Sequence, residues 1–213
     1  MSILLAPDPT PLLDTLAERQ DNRLIALLYA GATDLRAPLE ARVDDALVVD
    51  VESPRLSRVN FDAVGLVLLD LTPGQLLSRA GRRLVDVLGR LAEESLDLAL
   101  VGPATATAGA FLQDGVTAGL NLIPGCVVID DVKAVDDLHG LLAQVSRLDV
   151  RVLALDAPVV AGYTVADDTV SVQGDGSVML IAFVPNATGD ADADKTARLQ
   201  ILHQPMRRTW PTR

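Results

Sequence analysis

Along the first half of the chain, short apolar runs alternate with amphipathic helical patterns, and few folds accept that alternation. Residues 3–5, 24–30, 46–51, 63–69 and 98–101 are short apolar runs bounded by Gly, Pro or Asp. Runs of this length without polar alternation are expected of strands buried on both faces. Between them, residues 10–19 carry Leu12, Leu13 and Leu16, and residues 79–93 carry Leu84, Val87, Leu88 and Leu91, each set at helical spacing. A β-α-β-α order predicts an α/β three-layer sandwich, with a doubly wound, mostly parallel sheet and right-handed crossovers. The 49% hydrophobic and 3% aromatic content fits an interior built from Leu, Val and Ala. Ligands in such folds sit beyond the carboxyl ends of the strands. That crevice is expected to be lined by Pro7, Ala32, residues 71–74 and 105–108, Asp130 and Asp131.

After Val101 the passage GPATATAGAF reads as a strand, a turn and a helix-like piece ending near Gly115. A strand at 126–129 and an amphipathic stretch at 134–148 follow, the latter with Leu138, Leu141, Leu142 and Val145 inward. Closely spaced β-type runs at 152–155, 159–165, 169–173 and 178–184 come next, with Asp175-Gly176 as a hairpin signal between the last two. Antiparallel strands are therefore expected to extend one edge of the sheet. One domain is expected over 1–184. Residues 185–213 are expected to add to the same domain a flexible acidic loop with Asp190, Asp192 and Asp194, one more strand at 198–203, and a basic tail.

Eighteen Lys and Arg against 29 Asp and Glu give a net charge of −11, so the basic footprint required by nucleic acid or an anionic membrane is missing. No apolar run approaches the roughly 20 residues of a spanning helix. The single Cys126 cannot form an internal disulfide and, within its apolar run, is expected to be a small core residue. The opening MSILLAPDP has no basic signal-like region, and a cytoplasmic protein is expected. No glycine-rich phosphate loop opens a helix, so no cofactor is expected. Asp130, Asp131, Asp136 and Asp137 could in principle meet a hard cation, alone or with Asp70 or Asp156, but solvation of a helix explains them more simply and no metal site is expected. His139 and His203 are expected at the surface.

The segment T-A-T-A-G-A around Thr107 resembles the G-x-S-A-G-A nucleophile elbow of the cyanophycinase and aspartyl dipeptidase family of serine peptidases, whose fold is similar to class I glutamine amidotransferases. GLNLIPGCVVIDDVKAVDDLHGLL is similar to the family's GLGLLPG segment, next strand and helix. LALDAPVVAGYTVADDTVSVQGDGSVMLI resembles its G-I-D-E-x-T-A strand and the hairpin ending in G-x-G-x-V. Order and spacing match over 98–181, and more loosely over 3–74.

The resemblance implies a Ser-His-Glu hydrolase and sets a residue at each position. The serine falls on Thr107, the histidine on Asp131, the glutamate on Ala157, and the oxyanion glycines near Thr72-Pro73-Gly74, leaving Gly74 and Ala108 as oxyanion candidates. Thr107 keeps a hydroxyl but is β-branched, which suits a strained elbow poorly. A carboxylate with an ordinary pKa of about 3.9 is a weak base for an alcohol. Ala157 orients nothing, and Pro73 has no N–H to donate. Loss of one triad member costs roughly four orders of magnitude in rate. The sequence therefore points to a catalytically degenerate, peptidase-like pseudoenzyme retained for binding or assembly. A homo-oligomer, a protein partner, or a small peptide or amino-acid-like ligand are its expected associations. The alternative is a hydrolase of aspartyl peptides that uses Thr107 with Asp131. A small-molecule sensor using the crevice without chemistry is a third possibility.

Overall fold

The protein is described from a computed structural model that covers residues 2–18, 24–53, 56, 60–92, 96–148, 150–184, 195–203 and 206–209. Five parallel strands form the heart of the larger sheet: β1 (Ser2–Ala6), β2 (Leu24–Tyr29), β3 (Ala46–Asp50), β4 (Val64–Asp70) and β5 (Asp97–Val101). In β4, residues 64–69 are all buried, because helices or a second sheet cover both of its faces. One face carries α1 (Pro9–Ala17) and α2 (Arg36–Glu40). In α1 the Asp8 carboxylate accepts the Thr10 N–H at 2.8 Å, Pro9 opens the first turn, and Leu12, Leu13 and Leu16 face the sheet as the spacing predicts.

The opposite face carries α3 (Pro73–Leu77) and α4 (Arg79–Ala92). Val87 is 52% exposed, whereas Val85 is buried, which corrects the inward face expected for α4. Gly81 causes the difference. A Cβ there would lie 2.1 Å from the Gln75 carbonyl oxygen, so this side of α4 seats directly on α3 and turns Leu84, Val85 and Leu88 inward.

The remaining strands are β6 (Gly109–Phe111), β7 (Ile123–Ile129), β8 (Arg151–Asp156), β9 (Val160–Thr164), β10 (Thr169–Gln173), β11 (Ser177–Val184), β12 (Thr196–His203) and β13 (Met206–Thr209). The antiparallel strands β9, β10 and β13 extend the β1 side of the larger sheet, whose order is β13-β10-β9-β1-β5-β4-β2-β3. The others form a second sheet, β12-β11-β8-β7-β6, with α5 (Leu138–Val145) over its outer face. The two sheets share one apolar layer, in which Ile3 and Leu5 meet Val128, Leu153, Leu155 and Leu180. The whole is a mixed α/β architecture of the three-layer type.

Three local expectations need correction. Asp175-Gly176 does not close a hairpin, because β10 and β11 lie in different sheets. The Gly176 N–H instead donates to the Pro158 carbonyl at 2.7 Å, and a Cβ at Gly176 would lie 2.0 Å from the Asp156 oxygen. The hairpin here joins β9 to β10, with Asp168 at φ 49°. The stretch at 134–148 is divided into 3-10 turns at Val132–Ala134 and Ser146–Leu148 flanking α5, because Asp137 caps a fresh helix start by accepting the Gly140 N–H at 2.8 Å. The piece after Val101 is not an α-helix but a 3-10 segment, Gly102–Ala108, running directly into β6. Asp190, Asp192 and Asp194 lie outside the described residues, whereas the strand expected at 198–203 is β12. No helix among the described residues is long and apolar enough to cross a membrane.

Candidate functional site

Beyond β5 the chain turns at Gly102, with φ 60°, into the 3-10 segment that holds Thr107. Two threonine hydroxyls close it on itself. Thr105 Oγ1 donates to the Gly102 carbonyl at 2.8 Å, and Thr107 Oγ1 donates to the Ala104 carbonyl at 2.7 Å. Each bond reaches back three residues, the repeat of a 3-10 turn, and this local alternative to an α-helix explains the segment's geometry. Thr105, Thr107 and Ala108 are all fully buried, so they form the support under the strand ends rather than the crevice lining expected of them.

The following loop locks this segment from outside. The Leu120 N–H donates to the Thr107 carbonyl at 2.8 Å, and the Asn121 N–H to the Gly109 carbonyl at 2.9 Å. Arg82 of α4 donates from Nη1 to the Gly119 carbonyl and from Nη2 to the Ala118 carbonyl, both at 2.7 Å. A guanidinium fork on two carbonyls is a rigid clamp. Sequence reasoning did not single out Arg82, and no signal short of the fold would have paired it with the 118–119 loop.

Asp131, where the resemblance implies a histidine, caps the Val132–Ala134 turn, its Oδ1 accepting the Lys133 N–H at 3.0 Å. Neighbouring Asp130 accepts from Gln113 Nε2 at 2.9 Å. Lys133 crosses to Asp156 at the end of β8, Nζ to Oδ1 2.6 Å, and the Asp156 hydrogen bond raises the Lys133 pKa above its ordinary value. Gly74 sits in the first turn of α3, behind a capping box in which Thr72 and Gln75 exchange hydrogen bonds, with Pro73 between them. Thus α3 packs against the Thr107 segment, bringing Gly74 and Ala108 into neighbouring elements, while no hydrogen bond joins Asp131 to Thr107 among the described residues. His139 and His203 are exposed, as expected. Cys126 is fully buried, and burial pushes its thiol pKa up to about 12. Among the described residues, no three His, Cys, Asp or Glu gather as a metal-binding group.

Two cavities open over the carboxyl ends of the parallel strands. One of about 340 Å³ is lined by Pro9, Ala32, Thr33, Asp34, Leu35, Asp70, Val101 and Gly102. In it Thr33 Oγ1 donates to Asp70 Oδ2 and accepts the Leu35 N–H at 3.0 Å, so the carboxylate at the end of β4 is held in place. The second, about 660 Å³, has an apolar wall of Ala30, Val51, Leu56, Leu71 and Leu84, with Thr72, Gly74 and Gln75 on its α3 side. Of the crevice expected from sequence, Ala32, Leu71, Thr72 and Gly74 do line these cavities.

This arrangement defines an α/β protein with pockets over its strand ends, the placement at which open α/β sheets bind ligands. No family model and no curated protein matches the sequence. Among solved structures, the fold is similar to that of a peptidase from an acI-B1 Actinobacterium, with a TM-score of 0.63 and 14% identity over 98% of this chain and 96% of that one. The fold is therefore peptidase-like across nearly its whole length.

Proposed function

We propose that this chain is a catalytically inert, peptidase-like protein whose strand-end cavities serve binding, with a small peptide or amino-acid-like molecule as the ligand class. The observation that carries this reading is the Thr107 hydroxyl, which is buried and whose proton is directed to the Ala104 carbonyl at 2.7 Å. A nucleophile must present its oxygen to substrate and pass its proton to a base. Thr107 does neither, and Asp131, which would have to serve as that base, is occupied capping its own turn. Gly74 and Ala108 would donate their amides to an oxyanion only if a reacting carbonyl could reach them, and Ala108 is wholly buried.

Aspartyl dipeptides, with α and β linkages, test the reading. The native chain and Thr107→Ala are expected to hydrolyse them at the same background rate. Turnover by the native chain that disappears in Thr107→Ala would establish the hydrolase instead.

A further inference from the structure

The second sheet ends on β12, and no described strand pairs with its outer edge. All eight of its residues pair with β11 in one unbroken register, from Thr196 opposite Val184 to His203 opposite Ser177. Sheet edges of this length are normally blunted by a proline, a bulge or an inward charge, because their free N–H and C=O groups recruit another strand. The strand Thr196–His203 (TARLQILH) has no proline and no register shift, and Arg198, opposite Ala182, is the one charge on its inner-layer side. Its outer face is also apolar where it should be polar. Leu199 and Ile201 lie across from Ile181 and Met179 on the face that α5 covers, yet α5 does not reach them and they remain 56% and 48% exposed. The apolar layer under α5 therefore runs out into solvent at the sheet edge.

We infer that β12 is the interface through which two copies of this chain pair, antiparallel and about a two-fold axis at Gln200, joining their second sheets into one. Self-pairing at this register is complementary by construction, since Leu199 of each copy meets Ile201 of the other on the α5 face. The apolar layer then runs unbroken from one α5 to the other. Residues 195–203 contain Lys195 and Arg198 but no carboxylate, in a chain of net charge −11, so the strand itself brings no acidic side chain to the contact. The two Arg198 residues, offset by four positions, lie about 13 Å apart, beyond the screening length of about 8 Å at physiological salt. The inference is independent of whether the cavities bind or turn over anything.

Light scattering on the eluting protein, with two sets of variants, tests it. The native chain is expected at twice its mass of 22.5 kDa, and Leu199→Lys/Ile201→Lys at the single-chain mass with an unchanged circular dichroism spectrum. Both positions are exposed, so the double variant should fold. Under mild oxidation Gln200→Cys is expected to form a linked dimer, because residues facing each other across the axis fall within disulfide range. Ala197→Cys, whose two copies sit far apart along the strands, is expected to stay unlinked. Buried Cys126 does not compete. A monomeric native chain, a dimer that survives Leu199→Lys/Ile201→Lys, or a Gln200→Cys that links no better than Ala197→Cys would overturn the inference.

Discussion

Gly119→Ala is expected to lower stability by about 3 kcal/mol, a Tm loss of roughly 6–12 °C for a chain of this size. A Cβ at Gly119 would lie 2.1 Å from the Gly109 carbonyl oxygen and 3.0 Å from the Thr107 carbonyl oxygen. Both obstacles are backbone and cannot swing away as a side chain would. Relief requires the 118–121 loop to lift, and that loop carries the Leu120 and Asn121 N–H bonds to the Thr107 segment and the carbonyls gripped by Arg82. Gly89→Ala in the same background is the control. A Cβ there meets nothing within 4 Å in α4, so the substitution should gain about 0.5–1 kcal/mol from reduced chain entropy. Thermal melts that show equal Tm values for native and Gly119→Ala would mean that the Thr107 segment is not packed as described.

The second large effect is expected at Asp168, where one carboxylate ties the sheets together. Its Oδ2 accepts from Arg151 Nη1 at 2.6 Å and its Oδ1 from the Tyr163 hydroxyl at 2.9 Å. Arg151 opens β8 in the second sheet, Tyr163 lies in β9 of the larger sheet, and Asp168 occupies the turn after β9. Removing the carboxylate takes the ionic partner from a guanidinium that is only 16% exposed and leaves its Nη2 on the Pro124 carbonyl at 3.4 Å. Breaking a fully buried pair costs about 3–5 kcal/mol, but Asp168 itself is 43% exposed, so about 2 kcal/mol is expected for Asp168→Ala. Asp168→Asn should lose less, since Asn tolerates the φ of 49° and retains an acceptor.

The same region governs the alkaline limit. Burial, then the hydrogen bond to Asp168, raises the Tyr163 pKa from 10.0 to about 12, and burial raises Cys126 from 9.0 to about 12. Both are acids held in the neutral form by folding. Their folded values exceed their unfolded ones, so the stability they confer is complete below about pH 9 and is lost as pH rises toward 12. Denaturant titrations across that window should show this decline, and Tyr163→Phe should flatten part of it. A stability unchanged from neutral pH to about pH 12 would contradict the account.

The inner strands were legible because burial on both faces leaves an apolar run, and the half-buried edge strand β3 also falls on one. Their partners were not. Nothing in the sequence of β10 and β11 distinguishes two strands joined by a hairpin from two strands that part into different sheets, and Asp175-Gly176 suits a sheet-crossing turn as well as a hairpin. The short elements α2, β6 and β13 carry too few residues to establish a period. Val85 replaced Val87 on the buried face of α4 because of a backbone contact at Gly81 that no hydrophobic pattern encodes. At the candidate site, the resemblance directed attention to the segment that follows β5, and the side chains at the histidine and glutamate positions it implies could be read directly as Asp131 and Ala157. The burial of Thr107 could not, because it follows from two hydroxyls bonding three residues back and from an arginine 25 positions earlier in the chain. The cavity carboxylate Asp70 was visible only as the end of a strand, and its partner Thr33 lay in a loop without any pattern.

In the function proposed above, the Thr107 hydroxyl serves structure, holding its own turn through the Ala104 carbonyl. Intact-mass spectrometry after incubation with a fluorophosphonate tests it directly, with native protein, Thr107→Ala and Thr107→Ser run beside an active serine hydrolase. None of the three is expected to acquire an adduct while the control labels fully, and even a serine at 107 is expected to stay inert, because the hydroxyl there bonds the Ala104 carbonyl and meets no base among the described residues. A single adduct on the native chain that vanishes in Thr107→Ala would contradict the account and make this protein a working hydrolase.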